Sequence, residues 1–266
     1  WRERLAKMAD YPIDPATGIM IGKDVPFNKS HRHFSHLFAL WPLRLLDPVA
    51  QPALAPLVAQ SIRRFTDLEG DNCMFKYTGA SSLWSTAGDG DQALRWIQRA
   101  LLILPPEKKP VPTVGANTLY SENGWPTFES PVAAARNLLD LMLQDDAGVI
   151  RVFPAMPSNW QDARFFGLRV QGAFLISAVR EAGATRFIHI KSLAGEPCRI
   201  QAILPGALQI AGPATVNLRQ YKGLIELDLR KGEEAVLYSG EKPAAWLVKP
   251  LPLAPGEANR WGGKTK

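Results

Sequence analysis

The densest group of chemically capable side chains lies in the stretch HRHFSHLFALWP, residues 31–42. It holds three of the four histidines of the chain, His31, His33 and His36, with Arg32 between the first two. Imidazole is a common metal ligand, and H-x-H spacing occurs in metal sites. However, no nearby Cys, Asp or Glu completes a ligand set, and the fixed charge of Arg32 disfavours a bound cation. A metal site is therefore the weakest interpretation of this stretch.

Two other interpretations of the same stretch remain open. The first is structural: the histidines cap and hydrogen-bond the start of a helix predicted over residues 35–46. This can hold for the first and third histidines even where His33 has a function. The second is a polyol site, because a guanidinium presents a rigid fork of donors and aromatic faces cover apolar C–H groups. Phe34 and Trp41 supply such rings.

A second group of candidates lies in YSENGWPTFESP, residues 120–131. Glu129 directly precedes Ser130 and Pro131, which are predicted to open a helix. A carboxylate beside a helix N-terminus is stabilised in its charged form, which suits a general base or an orienting group more than a general acid. The structural alternative for Glu129, and more strongly for Glu122, is a capping carboxylate. The remaining candidates either line the same pocket or simply order the loop; they are Asn123 and Trp125.

The first half of the chain has the periodicity of helices. Residues 53–68 place an apolar stripe on one helical face, formed by Leu54, Leu57, Val58, Ile62 and Phe65. Asp91 is the predicted N-cap of a helix over 92–104, and Gly88 is the predicted end of the helix before it. Ser130 is the predicted cap of the next helix.

After Gln144 the pattern changes to short alternating runs separated by Gly, Pro and Asn, such as VIRVFP and GLIELDLR. These runs are typical of strands and predict an antiparallel β-sandwich, in which His189 is a structural residue. The predicted organisation is a helical domain over 1–147, a β-sandwich over 148–250 and a loosely held tail over 251–266.

Composition narrows the classes of partner. The 266 residues are 46% hydrophobic with a net charge of +6, but the basic residues are scattered without aromatic interleaving. Nucleic acid is therefore not a predicted partner. No apolar run approaches the ~18–20 residues of a membrane span, so membrane insertion is not predicted either. The two cysteines, Cys73 and Cys198, are predicted to be buried thiols, with a disulfide as the alternative. No cofactor is predicted.

Four motifs occur together in one order, and together they resemble glycoside hydrolase family 95, best known for inverting α-L-fucosidases. HRHFSHLFALWP resembles H-R-H-x-S-H-L-x-x-L-x-P, and SSLWSTAGDGDQALRWI resembles a helix pair with W-x-x-L-G-D-G-D-x-A. IRVFPAMPSNWQDARFFGLRVQGAFLIS is similar to the crossing into the β-domain, and IKSLAGEPCRI to the closing strand motif.

The resemblance implies the later half of an (α/α)6 six-hairpin toroid followed by an antiparallel β-sandwich. It implies that Arg32 and His33 contact the sugar, and that Glu129 matches the aspartate of the water-activating group. The pattern departs there, since Glu is one methylene longer than Asp. The general acid and the paired asparagines of the family lie before Trp1, so the chain reads as the C-terminal part of a longer polypeptide. We expect this fragment to be inactive alone.

Three functions are therefore weighed. The leading one is a bacterial family-95-like glycosidase that removes terminal α-L-fucosyl or α-L-galactosyl residues from glycans outside the cytoplasm, as a secreted or periplasmic protein. The expected partners are the glycan substrate and the missing N-terminal part of the same polypeptide. The second is a catalytically inactive carbohydrate-binding homologue, which the Glu at position 129 motivates. A polysaccharide lyase with a related toroid is weaker, because the order of the motifs argues against it.

Overall fold

A computed structural model describes residues 1–101, 113–114, 120–122, 125–213, 218–221, 224–243 and 248–252. Within those ranges the α-helices are α1 (Arg2–Leu5), α2 (Ala55–Asp67), α3 (Met74–Thr86), α4 (Gly90–Ala100) and α5 (Glu129–Met142). None of these described helices combines the length and apolarity needed to cross a membrane. Asn123 and the predicted tail from residue 253 onwards lie outside the described residues.

The predicted apolar stripe of α2 is confirmed. Val58, Ile62 and Phe65 are fully buried, while Leu54 and Leu57 pack against the same core from partly buried positions. Proline in the first turn does not disturb the helix, because the amide that it lacks has no partner there anyway.

Two predicted N-caps are wrong, and so is one predicted helix. Asp89, not Asp91, caps α4: its side chain accepts from the amide of Gln92 at 3.0 Å. Helix α5 begins at Glu129 after Phe128, so Ser130 lies inside its first turn. In place of a helix over 35–46, a 3-10 turn spans Ser35–Leu37 and irregular turns follow it.

Helix α3 is the central element of the helical part. Eleven of its thirteen residues are buried, so it is surrounded by protein on all sides. Gly88 (φ +81°) ends the turn after α3, as predicted, and α4 returns antiparallel so that Ala100 packs beside Met74. Helix α5 runs in the same direction as α3: Ala134 belongs to the same apolar cluster as Met74, and farther along both helices the Asn137 amide donates to Ser82 Oγ at 2.7 Å.

Most strands follow the helices. The exceptions among the described residues are five short strands, β1 (Ile13–Asp14), β2 (Gly18–Ile19), β3 (Thr113–Val114), β4 (Tyr120–Glu122) and β5 (Trp125–Pro126). The described strands after α5 are β6 (Leu143–Gln144), β7 (Ile150–Val152), β8 (Ala163–Val170), β9 (Phe174–Glu181), β10 (Ala184–Ser192), β11 (Pro197–Gln201), β12 (Leu208–Ala211), β13 (Leu218–Tyr221), β14 (Leu224–Asp228) and β15 (Glu234–Ser239). They form two five-stranded sheets, with orders β12-β15-β10-β9-β8 and β13-β14-β11-β7-β6.

Both five-stranded sheets contribute to one hydrophobic core. Ile176, Ile188 and Leu237 come from the first sheet, and Ile200 and Ile225 from the second. Every described pairing in these sheets is antiparallel except that of β7 with β11, which is parallel. The change from helices to strands agrees with the sequence pattern, although the first strand of the two sheets, β6, starts at Leu143, slightly before the predicted change after Gln144. The predicted domain boundaries stay a prediction.

Three single-residue predictions can be compared with the structure. Cys73 and Cys198 are both buried and form no disulfide with each other, so the disulfide alternative is wrong. His189 lies on β10, where its Nε2 is 2.9 Å from Glu234 Oε2. This cross-strand contact is consistent with a structural role.

Candidate functional site

The stretch that contains the histidines is anchored by Phe34. Its ring is buried, with its centroid 5.5 Å from that of Phe65 and 5.9 Å from that of Trp41. The ring rests on α3 at Gly79, where an added Cβ would lie 2.2 Å from Phe34 Cε1. The absence of a side chain at position 79 therefore lets Phe34 hold this stretch against the central helix.

The side chains on either side of this anchor point outward. His31, Arg32 and His33 are exposed, and the His33 ring meets Phe75 of α3 edge-on with centroids 5.1 Å apart. The backbone is held by two polar contacts: the Arg32 amide donates to Asp71 Oδ2 at 2.9 Å, and the His33 amide donates to His31 Nδ1 at 3.0 Å. The Arg32 and His33 side chains are thus presented to solvent on a fixed backbone.

His36 lies in a different environment. Its ring stacks on Phe27 with centroids 4.6 Å apart, and burial lowers the pKa of His36 to about 4. It is therefore neutral at physiological pH and packed as an aromatic ring. Among the described residues, no three His, Cys, Asp or Glu side chains are grouped to hold a metal ion.

Glu129 is the first residue of α5, and its side chain is exposed. The prediction that it lies at a helix N-terminus is therefore confirmed, although the capping arrangement differs. The adjacent Ser130 is buried, and its hydroxyl has no hydrogen-bond partner within the described part of the chain.

The predicted sugar-contacting residues and Glu129 lie at one end of the helical part. His33 contacts Phe75 in the first turn of α3, and Glu129 lies in the first turn of α5. Because α3 and α5 run in the same direction with Met74 beside Ala134, their first turns share that end.

Two other candidates lie on a short hairpin between α4 and α5. The hairpin consists of β4 (Tyr120–Glu122) and β5 (Trp125–Pro126), with Glu122 opposite Trp125. The side chains of Glu122 and Trp125 are not among those that the structure describes, and Asn123 lies outside the described residues. Their assignment to the site stays a prediction.

A buried charged network that was not predicted from the sequence lies between the helical and sheet parts. Arg151 on β7 donates to Asp47 Oδ2 at 2.7 Å, and Asp47 Oδ1 lies 3.4 Å from Arg44. Arg44 also contacts Gln144 Oε1, and its Nε lies 3.4 Å from Asp146. The members of this network come from residues 44–47 and 144–151, so no local pattern in the sequence reveals it.

Asp140 lies near the same junction, on the buried face of α5. Burial raises the pKa of Asp140 to about 6, against the opposing effect of Arg136, whose Nε is 2.5 Å from Asp140 Oδ1. Asp140 is in the last turn of α5, whereas Glu129 is in the first turn, so the two carboxyl groups lie at opposite ends of this helix. We regard it as part of the packing between the two parts.

The arrangement suits the binding of a neutral polyol beside a carboxylate. The exposed Arg32 and His33 side chains can donate hydrogen bonds to sugar hydroxyls. The partly buried ring of Phe75, in contact with His33, offers an apolar surface next to them. Glu129 adds an ionisable oxygen pair at the same end of the helices, and a carboxylate of this kind can orient or deprotonate water.

Comparison with known proteins bears on the sheet part of the chain. Residues 144–237 match the family model described as glycoside hydrolase family 95, C-terminal domain. Alpha-L-fucosidase 2 of Arabidopsis thaliana is 25% identical over 152 residues, which make up 55% of this chain and 17% of that relative. The match lies where the sequence motifs predicted the β-domain, and the resemblance that they carried is confirmed. Residues 144–237 are therefore similar to the C-terminal domain of glycoside hydrolase family 95.

Proposed function

We propose that this chain is part of a glycosidase that removes terminal α-L-fucosyl or α-L-galactosyl residues from glycans. It carries the sugar-binding side chains Arg32 and His33 and the carboxylate of Glu129, which activates water. The observation that carries the proposal is that these three exposed residues lie at one end of α3 and α5. The relative named Alpha-L-fucosidase 2 supports the choice of sugar.

In this proposal the enzyme inverts configuration at the anomeric carbon. Glu129 acts as the general base and removes a proton from a water molecule on one face of the sugar, while a general acid protonates the leaving oxygen on the other. Inverting enzymes separate these carboxyl groups by roughly 6.5–9.5 Å to leave room for the water. The acid comes from residues that precede this chain in a longer polypeptide, so we expect the chain alone to be inactive.

The scaffold of the proposal is the later part of an (α/α)6 toroid and a β-sandwich. A buried α3, an antiparallel α4 and a parallel α5 are the arrangement expected of helical hairpins in such a toroid. Two exposed apolar side chains lie at the start of α5: Phe128, just before the helix, is 70% exposed, and Val132, on the helix, is 68% exposed. Such side chains are expected to pack against further helices, which the N-terminal part of the longer polypeptide would supply. The shared core of the two sheets supports the sandwich.

The choice between fucose and galactose depends on the pocket wall at C6. L-Fucose lacks the 6-hydroxyl of L-galactose, so a wall that hydrogen-bonds this hydroxyl rejects fucose strongly, whereas an apolar wall discriminates weakly.

We propose that the enzyme meets its glycans outside the cytoplasm, as a secreted or periplasmic protein.

A second candidate function is carbohydrate binding without hydrolysis. It is favoured by Glu129, which stands where the family pattern has an aspartate. The extra methylene moves the carboxylate, and a displacement of about 1 Å can cost roughly 100-fold in rate. Loss of turnover with retained sugar binding would identify this case.

Sugar binding by the chain tests the part of the proposal that both candidates share. We expect L-fucose or L-galactose to bind in isothermal titration calorimetry, and Arg32→Met and His33→Ala to abolish binding. Arg63→Met removes an exposed arginine on α2 and serves as the matched control. Wild-type affinity in both Arg32→Met and His33→Ala would refute the assignment of these residues.

A further inference from the structure

Lys76 is an unusual residue in the first turn of α3, because it is fully buried at 0% exposure. Lysine is almost never buried in this way unless it is paired. Its ammonium donates to the carbonyl of Leu68 at 2.6 Å and lies 3.4 Å from Ser30 Oγ and 3.5 Å from Asn72 Oδ1. Burial lowers the pKa of Lys76, and the charge of Asp71 opposes this shift.

The partners of Lys76 lead directly to the residues that we propose to bind sugar. Ser30 Oγ accepts from the amide of Asp71 at 3.1 Å, and Asp71 Oδ2 accepts from the amide of Arg32 at 2.9 Å. Lys76 is thus connected to the backbone of Arg32 through Ser30 and Asp71. The connection joins the loop before α3 to the loop that carries the histidines.

We propose that Lys76 is a positioning residue, which holds residues 30–33 in the conformation that presents Arg32 and His33 to the sugar. The expected effect of Lys76 on sugar binding rests on the proposed function, whereas the positioning of residues 30–33 by Lys76 does not depend on it. Burial of an ammonium costs solvation free energy that an apolar side chain of similar length would not lose. A polar network that is fully satisfied fixes one arrangement of the groups that it joins. Positioning, rather than stability, therefore accounts for a lysine at this site.

Amide hydrogen exchange tests the positioning without any sugar. In the wild-type chain the amides of Asp71 and Arg32 are hydrogen-bonded and should exchange slowly. We expect Lys76→Met, which fills the same space without charge, to speed exchange at both amides. Ser30→Ala should do the same, and the double variant should add little, because both changes break one network. Unchanged exchange at Asp71 and Arg32 in Lys76→Met would overturn the proposal.

Sugar binding tests the consequence. We expect Lys76→Met to weaken L-fucose binding about tenfold or more, the scale of losing one charge-assisted hydrogen bond. The matched control is Thr78→Val on the same helix, a buried hydroxyl that donates within α3 to Phe75 O at 3.1 Å. It should lower the unfolding midpoint and leave both exchange and affinity unchanged.

The outcomes separate the two claims. Faster exchange in Lys76→Met together with weaker binding supports both of them. Faster exchange in Lys76→Met, together with no sugar binding by the wild-type chain, supports the positioning and refutes the proposed function. Equal loss of affinity in Lys76→Met and Thr78→Val would mean that general destabilisation explains the effect, and it would overturn the inference.

Discussion

The buried ion pair between Arg151 and Asp47 is expected to contribute strongly to stability, and Arg151→Met tests this. The two side chains are only 5% and 9% exposed, and Arg151 NH2 lies 2.7 Å from Asp47 Oδ2. Methionine fills much of the same volume without charge. The substitution leaves Asp47 buried without its shortest contact, and it leaves the carbonyl of Asp146 without the donor at 3.1 Å.

The size of the effect follows from what Asp47 retains. Removing one partner of a buried ion pair typically costs about 3–5 kcal/mol, because the other charge stays buried and uncompensated. Asp47 keeps Arg44 at 3.4 Å and the amides of Val49 and Ala50 at 3.0 and 3.2 Å. Arg151 also loses solvation on burial and is repelled by Arg44, and both effects lower the pKa of Arg151. We therefore expect the lower end of this range, a loss of about 3 kcal/mol.

Urea unfolding followed by tryptophan fluorescence measures this loss. We expect a midpoint about 1 M lower than in the wild-type chain, given the usual dependence of unfolding free energy on urea. Lys7→Met is the matched control, because Lys7 and Glu3 form an ion pair that is 73% and 84% exposed and should contribute nothing measurable. An unchanged midpoint in Arg151→Met would refute the view that the network joins the helical and sheet parts.

Three further predictions concern other buried groups. Because burial raises the pKa of Asp140 to about 6, the wild-type free energy of unfolding should fall as pH rises from about 4 to about 6. Asp140→Asn should lack this pH dependence. Identical pH profiles of the wild type and the variant in urea titrations would contradict this prediction. Burial raises the pKa of Cys198 to about 12, so iodoacetamide should alkylate it only after unfolding, and rapid labelling of the native chain would argue otherwise. Gly79→Ala should cost about 1–3 kcal/mol by displacing Phe34, whereas Gly22→Ala, with open space around it, should not; equal thermal midpoints would count against this packing.

Much of the helical and strand pattern could be predicted from the sequence, because it depends on local periodicity. Helix α2 and its buried stripe follow from the spacing of apolar residues, and the strands follow from alternation after Gln144. The helix predicted over 35–46 fails because Pro42 lacks an amide donor and its ring clashes inside a helix. Phe34 is also buried as an anchor, which the local apolar pattern does not distinguish from a helix face.

The errors in capping arise from tertiary contacts. Asp91 has good N-cap chemistry, but its carboxylate instead accepts from the amide and hydroxyl of Ser158 at 2.7 and 3.0 Å. Asp89 therefore caps α4. An added Cβ at Gly90 would lie 2.2 Å from the carbonyl of Ala155, so the start of this helix is also fixed by close backbone packing.

Some residues of the candidate site could also be predicted from the sequence, and others could not. Residue type and family resemblance predict Arg32, His33 and Glu129 as site residues. The structure adds that they lie at one end of the parallel helices α3 and α5. Lys76 was not chosen, since a single lysine between apolar residues looks like a surface position. Only the packing of residues 30 and 68–72 around it shows that it is buried, and such packing has no signature in the local sequence.

The most direct test of the proposed function is hydrolysis of an aryl α-L-fucoside and an aryl α-L-galactoside by the longer polypeptide to which we propose that this chain belongs. Glu129→Gln keeps the shape of the side chain and removes its basicity, and Glu241→Gln, at an exposed position after β15, is the control. We predict that the wild type cleaves one substrate, that Glu129→Gln turns over about 100-fold more slowly or worse while still binding the free sugar, and that the control is unaffected. Wild-type turnover in Glu129→Gln would contradict the assignment of the base and with it the proposed mechanism.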